Sequence, residues 1–321
     1  MLPDPLVYHY QSNGLTLKGW IYKPAGAGPF PVIFANHGSE QQPIRDKALA
    51  AFWIKQGFIY FKPIRSGHGG NPGPYIGDEI KPILAQINML RARPGTTSAQ
   101  LQVLYDEGTA LHRKANEDVV AAYRYLLTLP DVDRNRIVVM GGSYGGIQTL
   151  LTAEANNTGH LGIRGFVPMS PAAESWGFGR PRPQDPGGND PEFNTAFAHF
   201  LTGVIDDAEG PIYLMQAHND FSLGPTEVLG AVVDARGAPN RCNVFPTHGD
   251  ASNHNNGHAG FFADPTAWGP QVWSFLEAIG EVPQSQALLA DSFAVVSASA
   301  STATQPAHGP GAALESCGRH E

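Results

Sequence analysis

Ile137-Val138-Val139-Met140-Gly141-Gly142-Ser143-Tyr144-Gly145-Gly146 is the stretch that decides the fold. The apolar run Ile137–Met140 predicts a buried strand, and the residues from Tyr144 to about Asn156 predict a helix. Between them, Gly141-Gly142-Ser143-Tyr144-Gly145 matches G-x-S-x-G in the strand–turn–helix setting that gives the pattern meaning. A strand turning that sharply forces the serine into a strained backbone conformation, and small residues two before and two after it relieve the crowding. The Ser143 hydroxyl then stands exposed above the carboxyl edge of a sheet. The helix start behind it offers unpaired N–H groups, so the Tyr144 amide is placed to stabilise an oxyanion.

Outward from this turn, short β-rich runs alternate with helical ones. Val7–Tyr10 and Leu15–Tyr22 read as a hairpin around Ser12-Asn13-Gly14. Pro31–Asn36 and Phe58–Pro63 read as strands, with a helix over Ile44–Gln56 between them that stops at Gly57. Helices are predicted near Ile80–Arg91 and from about Ala99 to Leu129, the second with a stripe of Val119, Ala122, Tyr123 and Leu126. Gly165–Met169, Pro211–Ala217 and Asn240–Phe245 complete the strands. Helices near Phe193–Val204, Thr226–Ala235 and Pro265–Ile279 follow them in turn. Strands separated by helices imply a parallel sheet covered on both faces. No internal repeat is present. A working domain is expected over 1–282, with insertions at about 80–114 and 171–205. The remainder, 283–321, is low in complexity and is expected to be a disordered tail.

Composition narrows the function. The chain has 321 residues, of which 37 are Gly and 27 Pro, so it cannot be mostly helical. A net charge of −8 provides no basic face for phosphates, which argues against nucleic acid as a partner. No apolar run reaches the roughly 18 residues of a membrane span. Cys242 and Cys317 are too few for a disulfide framework. No leader is visible at the start, so the expected location is cytoplasmic, or secreted or periplasmic had a signal peptide been removed.

A serine nucleophile needs a second oxyanion donor, a base and an orienting acid. Asn36-His37-Gly38-Ser39 follows an early strand, and the turn permitted by Gly38 nominates the Ser39 N–H, with His37 shaping the loop. Asp220 lies just past the strand Pro211–Ala217, on the same sheet edge as Ser143, and is the candidate acid. Its alternative is a turn-forming Asx residue. Three histidines follow the last strand. His248, His254 and His258, with Asp250, also admit a metal reading, but the H-x3-H spacing has meaning only on a helix, and this segment has loop composition. His258, between Gly257 and Gly260, is the candidate base. Trp176, Phe178 and Phe197, in the segment 171–200, either line an apolar substrate pocket or pack that segment onto the body.

The stretch from about Leu15 to Ile279 resembles an α/β-hydrolase, most closely the dienelactone-hydrolase and prolyl-oligopeptidase-like branch. The resemblance is carried by Asn36-His37-Gly38-Ser39, Ile64-Arg65-Ser66-Gly67-His68-Gly69, Gly142-Ser143-Tyr144-Gly145-Gly146, Asp220 and Gly257-His258-Ala259-Gly260-Phe261. It implies a mainly parallel eight-stranded sheet with helices on both faces and small lid insertions. It further implies a Ser143–Asp220–His258 triad that cleaves small carboxylic esters through an acyl-enzyme, with no metal and no cofactor. Two departures stand out. Many dienelactone hydrolases carry a cysteine nucleophile where this chain has serine, and prolyl oligopeptidases carry a propeller where only about 30 residues precede the first core strand here. A peptidase or amidase, and a non-catalytic receptor on the same fold, are the other readings.

Overall fold

The structure is a computed structural model that describes residues 2–172, 176, 195–282 and 314–317. Its centre is one sheet. β1 (Leu6–Ser12) and β2 (Leu15–Tyr22) form the expected hairpin, turned by Asn13 and Gly14, both at positive φ. β3 (Phe30–Asn36), β4 (Ile59–Pro63), β5 (Val132–Gly142), β6 (Gly165–Met169), β7 (Tyr213–Ala217) and β8 (Arg241–Phe245) follow. The sheet order is β1-β2-β4-β3-β5-β6-β7-β8, parallel from β4 to β8, with β1 and β2 antiparallel at one end. These eight strands make the mainly parallel sheet expected, and a ninth, short strand joins it at β8.

Alternating residues along the strands feed two apolar layers. Val32, Phe34, Ile137 and Val139 meet helices α3 (Ser98–Leu126), α4 (Tyr144–Gly159), α5 (Thr195–Asp206) and α6 (Gly224–Ala235). Ile33, Ala35, Val138 and Met140 meet α1 (Lys47–Lys55) and α8 (Pro265–Ala278), which follows the short α7 (Phe261–Ala263), on the opposite face. Strands buried on both sides read as unbroken apolar runs, which is why Pro31–Asn36 and Ile137–Met140 were legible. α2 (Ile76–Arg91) and α3 form a hairpin with its own small core of Ile83, Ile87 and Leu104. Thr97 starts α3 with a capping box, its hydroxyl accepting from Gln100 N–H while Gln100 Oε1 accepts from Thr97 N–H at 2.9 Å.

Two expectations need correction. α1 begins at Lys47 rather than Ile44, because Asp46 takes a left-handed conformation (φ 38°) and its carboxylate pairs with Lys62 instead of capping the helix. The tail is not wholly without structure. Glu315–Ser316 forms β9, antiparallel to β8, and Cys317 is disulfide-bonded to Cys242. The two cysteines, too few for a framework, therefore make one bond that their count alone did not reveal. Gly230 of α6 clears the space, since a Cβ there would lie 2.3 Å from Cys317 Cβ. The rest of 283–321 lies outside the described residues.

Candidate active site

β5 ends at Gly142 and α4 begins at Tyr144, so Ser143 makes the turn alone, with φ 57° and ψ −126°. A non-glycine residue holds such a conformation only where its surroundings enforce it. Ser143 N–H donates to Met169 O at 3.0 Å, and its carbonyl accepts from Gly146 N–H at 2.8 Å and Ala172 N–H at 3.1 Å. The flanking glycines have a steric cause. A Cβ on Gly145 would lie 2.3 Å from Asn36 O, and one on Gly141 would lie 2.5 Å from Gly145 O.

Asp220 sits one short turn beyond β7, its N–H donating to Ala217 O at 3.1 Å. The buried carboxylate accepts Phe221 N–H at 2.6 Å and faces His258 Nδ1 with both oxygens, at 2.8 and 3.0 Å. Nδ1 is thereby the donor, which leaves Nε2 as the basic nitrogen. The ring lies between Phe221, 5.2 Å away by centroids, and Phe262 at 4.6 Å.

The three late histidines go to different partners. His258 is in a π-helical turn, Asn256–Gly260, rather than a loop, a device that recurs at functional sites. His254 lies in the helical residues just before it, with Nδ1 at 3.1 Å from Asn219 O and 3.2 Å from Asp220 O. His248 is 3.9 Å from Asp264. The expectation of loop composition is thus corrected, yet the histidines do not converge. Among the described residues no three His, Cys, Asp or Glu side chains gather to hold a metal ion.

Sequence reasoning missed Asn219. Its Nδ2 donates to His248 O at 3.0 Å and Asp250 O at 3.2 Å, and its Oδ1 accepts His248 N–H at 2.9 Å. It therefore staples the segment before His258 to the turn that carries Asp220. A Cβ on Gly257 would meet the Asn219 backbone at 2.4 Å, so this glycine is required for contact rather than for swing. Only the adjacency of Asn219 to Asp220 hinted at it, and Asn beside Asp reads first as a turn.

Ser143, Tyr144, Ser39, Asp220 and His258 all line one cavity of about 680 Å³. Ile76, Ile80 and Leu84 of α2 form an apolar wall, and Glu40, Asp46 and Lys62 a polar one. Trp176 and Phe197 are not on it. Each is 1% exposed, and they pack on one another at 6.1 Å in the core, so their substrate-contact reading is corrected to packing. Phe178 lies outside the described residues.

Behind the cavity, His37 is buried and its Nε2 accepts Arg65 N–H at 3.2 Å, so Nδ1 carries the proton and donates to Gly38 O at 3.0 Å. Burial, then the charge of Arg65, hold its pKa well below the usual histidine value. His37 is a neutral residue that shapes the loop. His112, with Nδ1 3.0 Å from Tyr144 Oη, is held down to about 4 by burial.

The profile of the prolyl oligopeptidase family matches residues 105–163, which carry the greater part of α3, then β5, the turn at Ser143 and α4. The acetyl esterase Axe7A of Xylanibacter ruminicola is 28% identical over 138 residues, a stretch spanning 43% of this chain but 29% of the esterase. In structure, the acylaminoacyl peptidase of Pyrococcus horikoshii superposes with a TM-score of 0.56 at 16% identity, over 88% of this chain and 42% of that one. A Klebsiella pneumoniae protein described as a dienelactone hydrolase gives a TM-score of 0.51 at 13% identity, over 87% of this chain and 100% of its own. The chain has the α/β-hydrolase fold, and its similarities lie with the prolyl-oligopeptidase and dienelactone-hydrolase branch of that fold.

Proposed function

We propose that the protein is a serine hydrolase that cleaves carboxylic esters, with Ser143 as nucleophile, His258 as base and Asp220 as its orienting acid. The observation that carries this reading is the two-oxygen hold of Asp220 on His258 Nδ1, in a cavity shared with a serine held at positive φ. His258 Nε2 takes the proton of Ser143 Oγ as that oxygen bonds to the ester carbonyl carbon. The carbonyl π electrons move to oxygen, and the Ser39 and Tyr144 N–H groups stabilise the oxyanion. The intermediate collapses, the carbon–oxygen bond to the alcohol breaks, and His258 returns the proton to the leaving oxygen. Water repeats the sequence on the acyl-enzyme, releasing the acid and restoring Ser143.

The ester reading draws support from the acetyl esterase relative. A peptidase or amidase reading is favoured by the prolyl oligopeptidase match, and it uses the same residues with an amine as leaving group. The Cys242–Cys317 bond supports a secreted or periplasmic location over the cytoplasm, because disulfides persist in oxidising compartments. Ser143→Ala is expected to lower turnover of an aryl ester at least 1,000-fold, by analogy with the roughly 10⁶-fold loss on removing a triad serine. Full activity in that variant refutes the assignment. Turnover of an aminoacyl anilide exceeding that of the aryl ester moves the conclusion to the peptidase reading.

A further inference from the structure

The proposed chemistry leaves one buried charge unused. Arg65 follows β4 and is 1% exposed, yet no carboxylate among the described residues lies within ion-pair distance of it. Its guanidinium is committed instead to two successive backbone carbonyls. Nη1 donates to His37 O at 2.9 Å and Nη2 to Gly38 O at 2.5 Å. The same group lies 5.0 Å from the centroid of the Tyr144 ring. Arg65 thus touches both segments whose amides face the developing oxyanion in the serine-hydrolase reading.

We propose that Arg65 is the positioning residue of the oxyanion hole, an inference that rests on that reading. The peptide group is planar and trans, so its C=O and N–H point in opposite directions. With Gly38 O drawn onto the guanidinium, the Ser39 N–H of the same peptide must point away from Arg65. The next peptide is pinned as well, because Tyr75 Oη donates to Ser39 O at 2.7 Å. The Gly38–Ser39 peptide therefore cannot flip without breaking the bonds that Gly38 O accepts from Arg65 Nη2 and His37 Nδ1. On the other side, the Tyr144 ring under the guanidinium holds the residue that bears the second N–H. Two further effects act in the same direction. A cation on the Gly38 carbonyl polarises that peptide and makes its N–H the stronger donor. A buried positive charge with no carboxylate in contact also favours negative charge forming in front of it.

The test compares Arg65→Lys, which keeps the charge and loses the fork, with Arg65→Met, which loses both. For each, kcat and KM are measured on an aryl acetate, together with the inhibition constant of an aryl trifluoromethyl ketone. The hemiketal oxygen of that inhibitor occupies the oxyanion position. Loss of one oxyanion donor costs about 100- to 1,000-fold in kcat. Arg65→Lys is expected to fall by about 100-fold and Arg65→Met further, with KM nearly unchanged and the inhibition constant rising in parallel with the loss in kcat/KM. Unchanged kcat and inhibitor affinity, or a loss of kcat with no change in inhibitor affinity, overturns the proposal. Tyr144→Leu keeps every backbone amide and the buried cation but removes the ring, and is expected to show the same pattern at about 10-fold. If neither Arg65 variant folds, unchanged kcat and inhibitor affinity in Tyr144→Leu overturns it. Ser143→Ala is assayed alongside. Activity in that variant refutes the serine-hydrolase reading, whereas an inactive Ser143→Ala beside fully active Arg65 variants refutes only the role of Arg65.

Discussion

His112 illustrates how a single side chain links the cavity to acid stability. It is buried against Tyr144, and burial holds its pKa down to about 4, while an unfolded histidine titrates near 6.5. Between those values the unfolded chain binds a proton that the folded chain refuses. Stability is therefore full above pH 6.5 and declines as the pH falls toward 4, by up to roughly 3 kcal/mol from this residue. His37 acts with the same sign, through burial and the neighbouring Arg65. Thermal unfolding followed from pH 7 to pH 4.5 should show the decline, and His112→Gln should flatten it. An equally steep profile in the variant places the proton uptake elsewhere. At this scale the sequence was readable where a residue had to be placed by topology. Ser143 and Asp220 each stand just past a parallel strand, so pattern and edge named them. Asn219 and Arg65 were not readable in their roles. Both act through backbone groups of distant segments, and no spacing rule records a hydrogen bond to a carbonyl.

Among the elements, strands buried on both faces were the most legible and the chain end the least. Glu315–Ser316 is too short to carry periodicity, and what places it is Cys317, whose partner stands 75 residues earlier. The start of α1 was missed for a related reason. Helical spacing extends back to Ile44, but the demand of Lys62 for the Asp46 carboxylate overrides it. The disulfide closes a long loop that contains the π-helical turn of His258 and all of α8, so it restricts the unfolded chain considerably. Cys317→Ser should lower unfolding stability by roughly 2–4 kcal/mol. Urea titration followed by far-UV ellipticity measures this, and a midpoint unchanged from wild type excludes a stabilising role for the bond.

Across the whole molecule, the order of the sheet explains why the candidate residues meet. β5, β6 and β7 are successive parallel neighbours, so the turns after β5 and β7 emerge at one edge, two strands apart. The segment after β8 then returns over that edge and brings His258 to Asp220. No helix among the described residues is long and apolar enough to cross a membrane. The sheet has two ends, and they are treated differently. Among the described residues β1 has no strand beyond it and exposes Leu6 and Val7, whereas β8 is covered by β9. An uncovered strand is a template for pairing between molecules. The covalent tie at Cys317 is thus also a guard on solubility, separate from its effect on unfolding. Mild reduction under native conditions should leave ellipticity largely unchanged while light scattering rises with protein concentration, as freed β8 edges find one another. A reductant in the buffer is therefore expected to promote self-association of this protein, a handling consequence of one covalent bond at a sheet edge.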